Sequence, residues 1–219
     1  MSSPDNASRS DECRESTAYL AARRTLDITG SLAGLGLLSP LLAAAALGIR
    51  WTMGSPILFR QERPGRGGEP FELLKFRTMR EPEPGEDMVD SDADRITPLG
   101  DFLRQTSIDE LPTLFNVLKG DMSLVGPRPL LMRYLDRYTD EQARRHEVKP
   151  GITGLAQVEG RNALGWEEKF AHDVEYVDNR DLWMDLRLLL KTAYKVIQRE
   201  GISSEGNATM TEFMGSKES

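Results

Sequence analysis

The stretch Ile28-Thr29-Gly30-Ser31-Leu32-Ala33-Gly34-Leu35-Gly36-Leu37-Leu38-Ser39-Pro40-Leu41-Leu42-Ala43-Ala44-Ala45-Ala46-Leu47-Gly48-Ile49 carries no charged residue, and its reading decides the fold. As one helix it would be about 33 Å long at 1.5 Å per residue, enough to cross a hydrocarbon core of about 30 Å. The simple version fails at its centre. Pro40 has no N–H for the carbonyl four residues back, and its ring crowds the preceding turn, so the run is predicted to bend or break at the Ser39-Pro40 hinge. The Ser39 hydroxyl is placed to bond a backbone group freed there, which makes a break tolerable inside lipid. Arg23 and Arg24 precede the run, and Arg50, Arg60, Arg63 and Arg66 follow it. Neither flank therefore carries the excess of positive charge that orients a spanning helix. Two half-length helices that enter and return on one side are the preferred reading. A kinked spanning helix, a buried soluble helix and a signal peptide are the alternatives. The last suffers from the length of the run and from Asp5, Asp11, Glu12, Glu15 and Asp27 ahead of it.

The remainder reads as soluble. Of 219 residues, 29% are charged and 39% apolar, which suits one globular body with appendages rather than a disordered chain. A net charge of −7 lacks the basic footprint of a nucleic-acid binder, so no nucleic-acid partner is expected. The lone Cys13 excludes an internal disulfide framework and fits a reducing compartment. Two histidines, His146 and His172, without a cysteine pair weigh against a structural zinc site.

These features divide the chain into a polar tail (1–18), a membrane segment (19–50), a folded body (51–200) and a second tail (201–219). Within the body, Ile57-Leu58-Phe59 and Phe71 to Arg77 flank the turn-rich Pro64-Gly65-Arg66-Gly67-Gly68 and predict a β-hairpin. Residues 80–95 are acidic and read as a surface loop. Ile96 to Lys119 reads as helices interrupted near Thr106-Ser107. Leu182 to Ile197 predicts a helix with Trp183, Leu186, Leu190, Ala193 and Ile197 on one stripe, either packed in the core or resting at a membrane interface. The fold class is α+β, helix-rich with a hairpin.

Chemistry is best sought at Ser107-Ile108-Asp109-Glu110. Ser107 and Glu110 have the S-x-x-E spacing of a helix capping box, which would account for both without any catalysis. Two adjacent carboxylates at a helix start also suit a divided task, one as nucleophile and one as metal ligand. Cations stand near in sequence: Arg104, Arg128 in a rigid Pro-Arg-Pro turn, and Lys75 and Arg77 projecting from one face of the second strand. An arginine held between prolines loses little entropy on gripping an oxyanion, and its planar fork suits phosphate. Asp92-Ala93-Asp94 has the D-x-D spacing of a metal–nucleotide pair, and Asp90 to Asp94 resembles the start of a calcium loop. Both sit where acids are dense, and Arg95 stands where a calcium loop needs glycine. Gly65-x-Gly67-Gly68 lacks the G-K-[ST] of a phosphate loop.

Taken together, Pro56-Ile57-Leu58-Phe59-Arg60-Gln61-Glu62-Arg63, Lys75-Phe76-Arg77-Thr78-Met79, Arg104 to Pro112 (RQTSIDELP), Asn116 to Pro129 (NVLKGDMSLVGPRP), Lys149 to Val158 (KPGITGLAQV) and Gly160-Arg161-Asn162 resemble, in order, the motifs of the bacterial monotopic phosphoglycosyl transferases. The resemblance covers about residues 20–200. It implies a re-entrant helix hinged at Ser-Pro that anchors a small α+β catalytic domain to the cytoplasmic face of the bacterial inner membrane. It implies transfer of a sugar 1-phosphate from a UDP-sugar to undecaprenyl phosphate, releasing UMP, with Mg²⁺ as cofactor. Asp109 falls on the family's nucleophile, and Glu110 on its metal-binding partner. Arg104, Arg128, Lys75 and Arg77 would stabilise phosphate charge, while Arg161, Asn162 and Asp185 fall on positions associated with the substrate site. The product implies downstream glycosyltransferases as partners. The C-terminal Glu205 to Gly215 looks like the tail of small members that use diacetylated bacillosamine, with galactose, glucose and N-acetylhexosamines also open. The competing class is a membrane-anchored adaptor of a glycan-assembly complex that keeps the scaffold without turnover.

Overall fold

A computed structural model describes residues 17–81, 95–160, 164–198 and 212–215. Its first elements are α1 (Thr17–Leu37) and α2 (Ser39–Thr52), bent by 63° at the single residue between them. Pro40 lies in the first turn of α2, where a missing N–H is best tolerated. The carbonyl it abandons is that of Gly36, and the Ser39 hydroxyl donates to that oxygen at 2.8 Å. Leu38 N–H still reaches Gly34 and Leu42 N–H reaches Leu38, each at 2.9 Å, so the bend costs the ladder little. Among the described residues no single helix is long and apolar enough to cross a membrane, whereas this bent pair is, by length and composition. Its outer side is apolar and open: Leu37 is 82% exposed and Trp51 92%.

The inner side of α1 is polar, because it must bind a folded body rather than lipid. Asp27, buried, accepts from the Ser123 hydroxyl at 2.9 Å and the Leu124 N–H at 2.8 Å. Arg23 donates to the same hydroxyl and to the Val125 carbonyl, and lies 3.7 Å from Asp185. Tyr176 and Tyr19 complete this network by donating to Asp185. Arg24 caps carbonyls of Val117 and Leu118 at 2.6 Å each. Gly30 permits the approach, since a Cβ there would come within 2.8 Å of the Leu124 side chain.

The body begins with the expected hairpin, β1 (Leu58–Pro64) antiparallel to β2 (Pro70–Phe76), with Arg60 opposite Leu74. Helices α3 (Pro98–Gln105) and α4 (Thr113–Lys119) follow, and the Met79–Ile96 bridge closes the base of the acidic loop, whose residues 82–94, Asp92-Ala93-Asp94 included, lie outside the described set. A second, parallel pair joins β3 (Ser123–Val125) to β4 (Gly151–Thr153). Between them come a 3₁₀ segment (Met132–Arg137), α5 (Asp140–Ala143) and a 3₁₀ turn (Arg144–Glu147). After β4 come α6 (Leu155–Glu159), α7 (Trp166–Asn179) and α8 (Leu182–Gln198). The main core lies where β3, α6, α7 and α8 meet, around Val125, Val158, Tyr176, Val177 and Leu188. A separate aromatic cluster binds Phe213 against Tyr134, Tyr138, Trp166 and Phe170, so the segment 212–215 returns to the body.

The core-packing alternative for the α8 stripe is overturned. Trp183 (67% exposed), Leu190 (72%) and Leu186 face outward, and Asp185 and Leu188 supply the buried face. Asp185, expected at the substrate site, is placed here in the buried Arg23–Tyr176 network. Charge at buried position 185 is tolerated only because two hydroxyls and a guanidinium surround it.

Asp27→Ala should lower stability by about 2–4 kcal/mol, because it strands a buried hydroxyl and an N–H and removes a buried negative charge that acts on Arg23. Thermal unfolding of the detergent-solubilised protein measures this, and a Tm within a degree of wild type would contradict the anchoring role.

Candidate functional site

Helix α3 is capped at Thr97, whose hydroxyl accepts from Gly100 N–H at 3.0 Å, and it ends at Thr106. Ser107 then takes φ 56°, a left-handed conformation that few non-glycine residues adopt. That kink turns the chain into a 3₁₀ segment, Ile108–Glu110, before Pro112 leads into α4. Ile108 is buried and pins the turn to the hydrophobic cluster of Ile49, Phe76 and Leu103. The Ser107 side chain makes no capping bond, and Glu110 does not reach back to it. The capping-box expectation fails, because the Glu110 carboxylate is engaged by Lys75 and Arg128 instead.

Glu110 is the meeting point of three segments. Lys75 from β2 reaches its Oε1 at 2.6 Å. Arg128, from the Pro127-Arg128-Pro129 turn, donates to both oxygens, the Oε2 contact being 3.3 Å. These two cations outweigh the effect of burial and hold the Glu110 carboxyl well below the usual carboxylate range. Asp109, next to it, moves the other way: burial first and the Glu110 charge second push it up to about 6, against the pull of Lys75, Arg128 and Arg104. Among the described residues the Asp109 carboxylate makes no ion pair, so its oxygens are free. Neighbouring carboxylates with oppositely displaced pKa values mark a division of labour.

Each partner of Glu110 is itself held. Asn116 of α4 accepts from Leu74 N–H at 3.0 Å and donates to Glu72 carbonyl at 2.7 Å, and the Thr113 hydroxyl donates to Leu74 carbonyl. These bonds fix α4 to the edge of β2 and set Lys75 against the acidic turn. The Arg128 carbonyl accepts from Arg145, a buried guanidinium doubly bonded to Asp173 at 2.6 and 3.0 Å. Gly126, just before the turn, lies so close to β4 that a Cβ would sit 2.5 Å from the Lys149 carbonyl oxygen.

Lys75, Glu110 and Arg128 line a cavity with Arg63, over an apolar floor of Leu73, Met122, Leu130 and Ile152. The structure thus brings together Lys75, Asp109, Glu110 and Arg128, with Arg104 close by and bonded to the Thr78 hydroxyl at 2.9 Å. It does not bring Arg77, which turns to the Met53 carbonyl and lies 3.6 Å from Glu81. Alternation puts Arg77 on the face of Lys75, but β2 ends at Phe76 and the chain turns away. Arg161 and Asn162 lie outside the described residues. Arg63, Asn116, Arg145 and Asp173 carry supporting roles that sequence reasoning missed. An Asn inside the apolar run Leu111 to Leu118 was the one legible signal among them.

Among the described residues no three His, Cys, Asp or Glu side chains converge on one point. An all-protein metal cage is therefore absent there. Mg²⁺ characteristically keeps several waters and takes one or two carboxylates plus substrate phosphate oxygens, and an ionised Glu110 fits that donor set.

The family model described as Bacterial sugar transferase matches residues 18–199, and the chain belongs to that family. It is 50% identical to the uncharacterized sugar transferase EpsL of Bacillus subtilis over 194 residues, covering 89% of this chain and 96% of that one. It is 45% identical to a UDP-glucose:undecaprenyl-phosphate glucose-1-phosphate transferase of Caulobacter vibrioides, covering 78% and 67%. An undecaprenyl-phosphate galactose phosphotransferase of Salmonella typhimurium is 40% identical, with 82% of this chain matched to 41% of that protein.

Because the folded-state pKa of Asp109 lies above its ordinary value of 3.8, ionisation penalises the folded state. The penalty is complete above about pH 6 and gone once pH falls below the ordinary value. Asp109→Asn should therefore stabilise the protein at pH 7.5, by roughly 1–3 kcal/mol at 1.36 kcal/mol per unit, and confer nothing below about pH 4. Paired melting curves at the two pH values check this.

Proposed function

We propose that this chain transfers a sugar 1-phosphate from a UDP-sugar to undecaprenyl phosphate, releasing UMP, through an intermediate in which Asp109 carries the phosphosugar. The observation that carries the reading is a free, half-buried carboxylate beside a second carboxylate clamped by Lys75 and Arg128. Family membership and relatives named for undecaprenyl-phosphate sugar transfer support it. So does the name of a further relative from Aeromonas hydrophila, an N-acetylgalactosaminephosphotransferase 37% identical over 190 residues.

In the first step an Asp109 oxygen attacks the sugar-bearing phosphorus. The bond from that phosphorus to the bridging oxygen breaks, and its electron pair leaves on UMP. In the second, a phosphate oxygen of the polyprenol attacks the same phosphorus, the acyl–phosphate bond breaks, and Asp109 returns as carboxylate. Lys75, Arg104 and Arg128 offset the charge gathered as an anion approaches an anion. Glu110 would hold a magnesium ion, which when bound neutralises diphosphate charge. Since Glu110 already has two cationic partners, metal binding there competes with them.

The membrane-facing parts suit a lipid-borne acceptor. The bent pair α1–α2 enters one leaflet and returns, and the outward stripe of Trp183, Leu186 and Leu190 on α8 rests at the same interface. A polyprenol phosphate presents its headgroup at that level. In this reading the membrane segment is 19–50, the catalytic body 51–200 lies on the cytoplasmic face, and 1–18 and 201–219 are polar tails. Cys13, the only cysteine, reports on this topology: a membrane-impermeant thiol reagent should reach it from the side that carries the catalytic body. Labelling from the opposite side would show a spanning helix.

UMP release from a panel of UDP-sugars, diacetylbacillosamine included, with undecaprenyl phosphate and Mg²⁺, should find one preferred donor. Asp109→Asn should abolish release, and intact-mass spectra without acceptor should show a phosphosugar adduct at residue 109 in wild type only. Turnover by Asp109→Asn would end the mechanism, and silence across the whole panel would favour the adaptor reading. Donor-side rate should fall as pH drops through about 6, and Glu110→Gln should move that inflection lower by removing a neighbouring negative charge.

A further inference from the structure

Cations around the cavity outnumber carboxylates, and one of them has no carboxylate partner among the described residues. Lys75 and Arg128 share Glu110. Arg133 and Arg137, on the neighbouring 3₁₀ segment, are both met by Glu212 of the returning C-terminal segment, at 3.1 and 2.8 Å. Arg104 stands beside Asp109. Arg63, at the end of β1, is left over. Its Nη2 donates to the Gln61 side chain at 2.6 Å, its Nε is buried with no partner, and among the described residues no carboxylate lies within ion-pairing distance.

A half-buried guanidinium facing two others is an unfavourable arrangement unless an anion joins it. Burial, Arg128 and Arg133 together push the Arg63 guanidinium down to about 10, the direction in which an absent anion would leave it. The position is as informative as the charge. Arg63 lines the same cavity as Lys75, Glu110 and Arg128, yet the charges that act most on Asp109 are Glu110, Lys75, Arg128 and Arg104. Arg128 lines that cavity beside Arg63, and its charge acts on both Asp109 and Arg63. A diphosphate has a phosphate for each: one beside Asp109 and its neighbour Glu110, the other at Arg63 in the cavity that Glu110 also lines.

We propose that Arg63 binds the nucleotide-side phosphate of the donor, and with it the phosphate of departing UMP. This rests on the reading of the donor as a UDP-sugar given above. The transferred phosphate then sits beside Asp109, Lys75 and Arg104, and Arg128 bridges the two. Arg63 thereby orients the leaving oxygen away from Asp109, as in-line displacement requires. The same chemistry would serve the phosphate of the polyprenol acceptor, and the experiment separates the two sources.

Calorimetric titration of the full-length, detergent-solubilised protein with UMP and, separately, with uridine provides the test. Arg63→Gln should weaken UMP binding at least tenfold and leave uridine binding and the KM for undecaprenyl phosphate within twofold of wild type. Arg63→Lys, which keeps the charge and loses the planar fork, should weaken UMP binding by an intermediate factor. Melting curves confirm that each variant is folded, and the lysine variant carries the test if the glutamine variant is not. UMP affinity unchanged in a folded variant would overturn the assignment, as would a raised KM confined to the polyprenol phosphate. If wild type itself binds no UMP, the donor reading falls, whereas wild-type binding that survives the substitution removes only Arg63.

Discussion

One carboxylate, Glu110, shared between Lys75 and Arg128, ties the catalytic body together. Its two partners lie 35 and 18 residues away in sequence, on a hairpin and on a proline-flanked turn. The carboxylate holds the two cations near each other, and they hold it ionised inside a partly buried cavity. Asp109 inherits the consequence, because the Glu110 charge next door opposes its own ionisation while the cations limit how far that opposition goes. The divergence of two adjacent, chemically similar side chains comes from which of them the cations touch.

Around this pair the structure is arranged in supports. Asn116 and Thr113 set α4 on the edge of β2, Arg145 and Asp173 steady the Arg128 backbone, and Arg23, Arg24 and Asp27 fasten α1 to β3 and α4. The last group matters for a lipid-linked reaction. It couples the helix pair suited to a membrane to the strand that runs directly into the Pro-Arg-Pro turn. In the proposed topology, the depth of the anchor and the height of the cavity are set by the same buried hydrogen bonds.

Much of this was legible in the chain and some was not, for physical reasons. The hinge could be read because Pro40 removes a defined donor and Ser39 stands within reach of the acceptor it leaves. The hairpin could be read because strand-forming runs flank a glycine-rich turn. The capping box failed because S-x-x-E spacing says nothing of the long-range cations that compete for Glu110. The α8 stripe failed as core because periodicity identifies an apolar face without saying whether protein or lipid covers it. Asp185 was placed at the substrate site by a matched position, and only tertiary contact shows two tyrosines and an arginine of the anchor network around it. Arg77 obeyed strand alternation one residue beyond the strand's end. Arg145 and Asp173 left no local trace, since a pairing across 28 residues has no periodicity, and strand alternation does not show which charge of a hairpin lacks a carboxylate partner.

Where β3 meets β4, Gly126, Gly151 and Gly154 press backbone against backbone, with no room for a methyl group at any of the three. At such points the main chain itself is the packing surface, and the mildest replacement a mutagenesis survey employs becomes a wedge driven between the strands. The Arg128 turn would be the first part displaced. Alanine at these positions would mimic the loss of a reactive group, although none of the three has a side chain to react.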